Sequence, residues 1–177
     1  MLLCRFLQQL FKVRIITNEN LEYNCKSVIS YYDNNDLQLY TLFLLLYSTG
    51  VRINEAINLN LWQLINADVV QLNGLKGANP RYFNLIDLPF EVQRYFIDSY
   101  NVFRFTSYTN LVRYLNRALQ FKVYYQSSKS INFHMFRHNY IRKLYAKTKN
   151  IDTVLQELGK TVQSDISTYL YTNLYIN

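Results

Sequence analysis

Thr49-Gly50-Val51-Arg52-Ile53-Asn54-Glu55-Ala56-Ile57-Asn58-Leu59 is the stretch on which the fold turns. Before it, Leu37, Tyr40, Phe43, Leu44 and Tyr47 recur at the spacing of one helix face. Glycine is favoured just past a helix end, so that helix stops at Thr49-Gly50. The polar run Asp33-Asn34-Asn35-Asp36 supplies the preceding loop and N-cap. A second, short helix is expected over residues 53–59, with Ala56 and Leu59 inward. Arg52 then stands at a helix start directly after a glycine turn. Unpaired backbone N–H groups and a guanidinium at one place favour an anion. Glu55, three residues on, shares that face and is placed to hold the guanidinium. Alone, such a pair is more often an ordinary surface contact.

Outward from this turn the pattern changes. Val69, Val70 and Leu72 are β-prone, and Asn73-Gly74 and Gly77-Ala78-Asn79-Pro80 carry turn chemistry. Arg81-Tyr82-Phe83-Asn84-Leu85 reads as a returning strand, so residues 62–88 form a small antiparallel sheet. Pro89 then opens a helix through Phe96. The remainder reads as helices over 109–121, 134–146, 151–158 and 164–175, the third closed by Gly159. At the other end, Leu3, Phe6, Leu7, Leu10 and Phe11 give residues 1–18 a helical stripe, with Arg5, Lys12 and Arg14 and no acid. That segment reads as an organelle-targeting helix, a helix packed on the domain, or the remnant of an upstream module. The fold class is mostly α with one small antiparallel sheet (α+β), with residues 1–35 as an N-terminal helical segment or the remnant of an upstream module and 36–177 as the main domain.

The chain has 177 residues, half of them apolar, and a net charge of +7. It is long enough for one domain with a sizeable core and too apolar for a disordered chain. No Asp or Glu occurs between Asp98 and Asp152, while Arg104, Arg113, Arg117, Lys129, Arg142 and Lys143 all fall there. Once folded, so one-sided a segment builds a strongly positive surface, for which nucleic acid is the usual partner. A solvated basic face and an anionic membrane are the other readings of the same charge. Cys4 and Cys25 form no CxxC pair, and both read as reduced intracellular thiols. The longest apolar stretch, around residues 42–47, is too short to span a bilayer. Abundant Asn, Tyr, Ile and Lys point to an AT-rich coding sequence, as in an organelle (a plastid, for instance), a plasmid or a phage.

Chemistry-bearing residues follow in order along the chain. His134, Arg137 and His138 lie at i, i+3 and i+4 near a helix start and share one face. A metal reading of the two histidines needs a third ligand, and none is evident. A phosphate reading suits them better, with Arg137 as a bidentate clamp and His134 as a donor. For His138, a buried histidine satisfied by the backbone is the better reading. Leu158-Gly159-Lys160 presents a cation at a helix end, where the helix dipole favours one without any function. Lys76 sits near a hairpin tip, placed either to reach a DNA groove or merely to be solvated. Cations gathered about one phosphate, with a phenol to attack it, suffice to break a phosphodiester without metal.

Together these pieces resemble the catalytic domain of the tyrosine recombinase, or phage-type integrase, family over residues 36–172. The arginine box resembles Thr49-Gly50-x-Arg52-x-x-Glu55-Ala56-x-x-Leu59, and the β-hairpin lysine resembles Lys76. The His-x-x-Arg-His box resembles His134, Arg137 and His138. Leu158-Gly159-Lys160 stands where the family usually has Leu-Gly-His, and a lysine still donates to a phosphate oxygen. The nucleophile's Tyr-Thr pair resembles Tyr171-Thr172; Tyr169 better matches the usual distance from the preceding box, and Tyr171 is favoured for its context. The resemblance implies a tyrosine recombinase catalytic-domain fold and DNA strand exchange through a 3′-phosphotyrosyl link, with no cofactor and no metal. It implies catalytic roles for Arg52, Lys76, His134, Arg137, Lys160 and Tyr171, supported by Glu55 and His138. The expected partners are double-stranded DNA and other protomers assembled on it, with no membrane and no small-molecule substrate. The 35 residues before Asp36 are too few for the family's N-terminal clamp domain. A type IB topoisomerase-like activity and a non-catalytic DNA-binding protein on the same scaffold are the alternatives.

Overall fold

Asp36 caps the central helix. In the computed structural model, which describes residues 13–16, 20–74, 78–98, 107–120, 122–125 and 133–159, its carboxylate accepts the Leu39 N–H at 3.0 Å. The chain runs β1 Val13–Ile16, α1 Leu21–Asp33, α2 Leu37–Thr49, α3 Ile53–Ala56, β2 Trp62–Leu64, β3 Val69–Leu72 and β4 Arg81–Asn84. It continues with α4 Phe90–Ile97, α5 Tyr108–Leu119, β5 Lys122–Tyr125, α6 His134–Thr148 and α7 Ile151–Glu157. The architecture is mostly helical with a small three-stranded antiparallel sheet, as the sequence predicts.

Helix α2 is the hub. Leu39, Leu42, Phe43, Leu45 and Leu46 are buried, and the helix packs against α1, α4 and α6. Phe43 stacks between Tyr32, with ring centres 5.5 Å apart, and Phe136 at 5.6 Å. Ring faces offset at these separations add to the area they bury. Gly50 ends the helix at φ 62°, and its N–H donates to the Leu46 carbonyl at 3.0 Å. Helix α1 falls within the N-terminal segment expected to be helical. Its Leu21, Cys25, Val28 and Tyr32 lie on one stripe and belong to the same core, and Tyr32 Oη donates to the Tyr114 carbonyl of α5 at 2.8 Å. At the far end, Ile141 of α6 joins Val154, Leu155 and Leu158 in a smaller cluster that seats α7. Among the described residues no helix is long and apolar enough to cross a membrane.

The sheet is ordered β2-β3-β4, with Leu72 opposite both Trp62 and Arg81. In β4, Arg81 and Phe83 are buried while Tyr82 and Asn84 are exposed, the alternation a half-buried strand requires.

Three expectations are corrected. Residues 13–16 are a strand, not the continuation of an N-terminal helix: β1 pairs in parallel with β5, Val13 opposite Lys122 and Ile16 opposite Tyr125. Val13, Ile15 and Ile16 are β-branched, and the stripe that suggested helix lies upstream of the described residues. The same pairing makes residues 122–125 a strand within a region expected to be wholly helical. Finally, the helix expected over 53–59 ends at Ala56, and a 3-10 turn covers Leu59–Leu61. Trp62 Nε1 donates to the Glu55 carbonyl at 2.8 Å, occupying an acceptor that a longer helix would use. Asn58 also turns its side-chain oxygen onto the Asn60 N–H at 3.3 Å, a local bond that competes with helix.

Candidate active site

Arg52 leaves the Gly50 turn in an extended conformation, as the N-cap of α3. Glu55, almost fully buried, grips it twice. Oε2 accepts the Arg52 backbone N–H at 2.8 Å, and Oε1 accepts from Nη1 at 2.8 Å. The Arg52 side chain is 36% exposed and so remains open to a ligand while its base is fixed. Trp62, bonded to the Glu55 carbonyl, ties this arrangement to the sheet.

Arg137 arrives from α6. Its side chain is fully buried, and Nη1 donates to the Gly50 carbonyl at 2.7 Å. The acceptor is the turn that launches Arg52, so the two arginines share one support although 87 positions separate Gly50 from Arg137. His134, the first residue of α6, is exposed beside them. Its imidazole is held below its ordinary range, by desolvation and by the positive charges of Arg137 and Arg52. Arg52, His134 and Arg137, with Asn54, Tyr108 and Phe133, line one cleft of about 280 Å³.

His138 follows one turn after His134 and is half-buried. Burial, then the charges of His134, Arg137 and Arg142, push its imidazole down to about 3, so it stays neutral through the physiological range. Lys76, Lys160, Tyr169 and Tyr171 lie outside the described residues, as do Arg104, Lys129 and the helix expected over 164–175. Arg113 and Arg117 are exposed on α5, with the Arg117 guanidinium 5.9 Å from the Tyr114 ring centre. Arg142 is half-buried on α6. Lys143 turns instead to the α1–α2 side, donating to Tyr47 Oη at 2.7 Å and to Glu22 at 3.2 Å.

Two residues near this site went unremarked in the sequence. Tyr108, at the first position of α5, lines the cleft and meets the Phe133 ring edge-on at 5.6 Å; no periodic signal marks it. Arg81 is buried in β4, and Nη2 donates to the Thr49 carbonyl at 2.5 Å. Its signal was present: in an alternating strand Arg81 shares the inward register of Phe83 and Leu85.

The arrangement presents two guanidiniums and an imidazole to a small volume, with a carboxylate behind one of them. Donors gathered in this way are of the kind that receive a tetrahedral oxyanion. Preorganised donors of this kind stabilise charge that develops in a transition state.

Comparisons with known proteins bear on the family and the fold. A tyrosine recombinase of Thermosipho africanus (strain TCF52B) is 28% identical over 149 residues, which cover 80% of this chain and 52% of that protein. The crystal structure of XerA recombinase superposes with a TM-score of 0.58 at 16% identity, covering 93% of this chain and 61% of that one. XerH site-specific recombinase, in a post-cleavage complex with a palindromic difH substrate, superposes with a TM-score of 0.57 at 19% identity, covering 89% and 49%. Those two likenesses show the fold, that of recombinase catalytic domains. The chain spans about half the length of the curated relative it matches. The model of the phage integrase family matches residues 19–175, nearly the whole of the chain, which therefore belongs to that family.

Proposed function

We propose that this chain breaks and rejoins double-stranded DNA through a covalent 3′-phosphotyrosyl link, in site-specific recombination or integration. The observation that carries this is the meeting of Arg52, His134 and Arg137 at one cleft. Tyr171 Oη attacks the scissile phosphorus, and the bond to the 5′-oxygen breaks. A free phenol has a pKa of about 10, so its proton passes to the His134 imidazole or to water as the bond forms. Lys76 protonates the departing 5′-oxygen. Arg52 and Arg137 neutralise the equatorial oxygens of the pentacoordinate phosphate, each worth about 3 kcal/mol of transition-state stabilisation. His134 and Lys160 complete the cage of donors, and Glu55 and His138 support it. Rejoining is the reverse step, driven by the bond energy kept in the phosphotyrosyl ester. The basic residues of α5 and α6 add phosphate contacts, and further protomers assemble on the same DNA.

The test is covalent trapping. The full chain is incubated with a pool of nicked duplexes randomised around the nick, and protein that stays bound to DNA in detergent is isolated and its DNA sequenced. The expected result is an adduct formed by the wild type and absent for Tyr171→Phe and Arg52→Ala. An adduct that survives Tyr171→Phe overturns the choice of nucleophile. DNA binding with no adduct under any condition overturns the enzymatic reading in favour of a binding protein on the same scaffold.

A further inference from the structure

Thr49 and Gly50 present two successive main-chain carbonyls immediately before Arg52, and each is held by a buried guanidinium from elsewhere in the chain. Arg137 Nη1 holds the Gly50 carbonyl at 2.7 Å, and Arg81 Nη2 holds that of Thr49 at 2.5 Å. Arg81 also reaches in a second direction. Its Nε donates to the Glu157 carbonyl at 2.5 Å, at the C-terminal end of α7. Its guanidinium carbon lies 4.8 Å from the centre of the Phe83 ring. Beside it, the Asn79 N–H donates to the Gly159 carbonyl at 3.1 Å. A Cβ on Gly159 would come within 2.5 Å of the Asn79 oxygen and 3.1 Å of Arg81 Cγ. One side chain thus joins β4, the end of α2 and the end of α7 at a single point.

A buried guanidinium is an expensive way to hold elements together. Burial, then the charge of Arg137, pushes the Arg81 side chain down to about 10. Its Nη1 is buried, and the Tyr140 phenol faces the guanidinium. An apolar residue of similar volume fills such a space at lower cost. It cannot fix the direction of two carbonyls, which the planar fork of arginine does with one rigid group.

We infer that Arg81 is a positioning residue for the cleavage chemistry. By fixing the Thr49 carbonyl it sets the direction in which Arg52 leaves the turn, and by fixing the Glu157 carbonyl it keeps the end of α7 in register with that turn. Arg81 does not itself line the cleft. The inference rests on the phosphotyrosyl mechanism proposed above.

The test uses the full chain and the nicked duplex recovered by covalent trapping, in single turnover with protein in excess. Arg81→Lys keeps the positive charge and one donor group but cannot span both carbonyls; Arg81→Met keeps most of the volume. The readouts are the rate constant of adduct formation, its amplitude, the affinity for intact duplex, and the melting temperature. Misplacing a catalytic group by about 1 Å costs on the order of 100-fold in rate. The expected result is a rate constant lowered between about tenfold and 100-fold in both variants, with affinity within about twofold of the wild type. In the Arg52→Lys background, Arg81→Lys should add little, because both changes act through one group. A merely structural role lowers the amplitude with the folded fraction and leaves the rate constant unchanged, which overturns the inference. So does full additivity with Arg52→Lys, and so does failure of both variants to fold. A wild type that forms no adduct overturns the underlying mechanism and the positioning role with it, whereas a wild type that cleaves normally while Arg81→Lys matches it overturns only the positioning role.

Discussion

Gly50→Ala tests whether the turn before Arg52 is as constrained as it looks. The residue sits at φ 62°, a left-handed conformation that costs an L-residue with a Cβ roughly 1–2 kcal/mol. A second cost comes from space. A Cβ at Gly50 would lie 2.5 Å from Tyr140 Cδ1, 2.6 Å from Cγ and 2.9 Å from Cβ. The ring must shift, and forcing one extra carbon into a packed site typically costs about 1–3 kcal/mol. The sum, about 2–5 kcal/mol, is a large share of the 5–15 kcal/mol typical of a domain this size and lowers the melting temperature by roughly 4–20 °C. The assay is urea unfolding followed by circular dichroism, run in the native background and with Tyr140→Ala. Tyr140→Ala removes the two closest atoms and leaves the backbone term and the milder 2.9 Å contact with Cβ, so there the glycine substitution should cost less, about 1–3 kcal/mol. Because the Gly50 carbonyl anchors Arg137 Nη1, adduct formation should also slow. A cost below about 0.5 kcal/mol, the range of an ordinary surface change, would refute the reasoning, as would an equal cost in the two backgrounds.

Glu55→Gln keeps the shape but removes the charge that holds Arg52 twice; with the guanidinium partly solvated we expect a loss of about 1–2 kcal/mol in unfolding, and a slower cleavage rate constant with little change in DNA affinity. His138 is held near 3 in the fold against about 6.5 in the unfolded chain, so the unfolded state binds the extra proton between those values. Its contribution is complete above about pH 6.5 and is lost as pH falls toward 3. Stability should therefore drop by about 2 kcal/mol between pH 7 and pH 5, measured by urea midpoints, and His138→Asn should remove most of that slope. His134, lowered in the same direction, leaves a residual slope. Arg117→Gln on the exposed face of α5 should reduce the slope of log affinity against log salt by roughly one unit if that guanidinium contacts a phosphate. An unchanged slope removes Arg117 from the DNA-binding surface.

Local chemistry made part of this molecule legible in its sequence. A glycine after a periodic apolar run announced both the end of α2 and the launch of Arg52, because positive φ and helix termination are decided within a few residues. The Arg52–Glu55 contact was legible for the same reason, being a one-turn relation on a single helix start. Helix α1 carries an equally regular stripe, but the buried Asn24 breaks its apolar face and the exposed Tyr23 blurs its polar one, so periodicity alone marks it weakly. The β1–β5 pair was illegible, since parallel pairing joins segments with no shared turn to mark them. Arg81 was legible in principle from strand alternation, yet a charged residue in an inward register is normally taken for a solvated one. The meeting of Arg137 with the Gly50 turn depends on packing between α2 and α6, and no spacing rule predicts it; only the family resemblance brought those boxes together.

The parallel pairing of Val13–Ile16 with Lys122–Tyr125 has a kinetic implication. Its two strands come together only after a loop of roughly a hundred residues closes, which is entropically sensible only when the intervening helices have already condensed. This ribbon should then be the last hydrogen-bonded unit to assemble during refolding and the first to exchange its amides with deuterium, leaving the α2-centred core protected while the amino-terminal strand comes and goes.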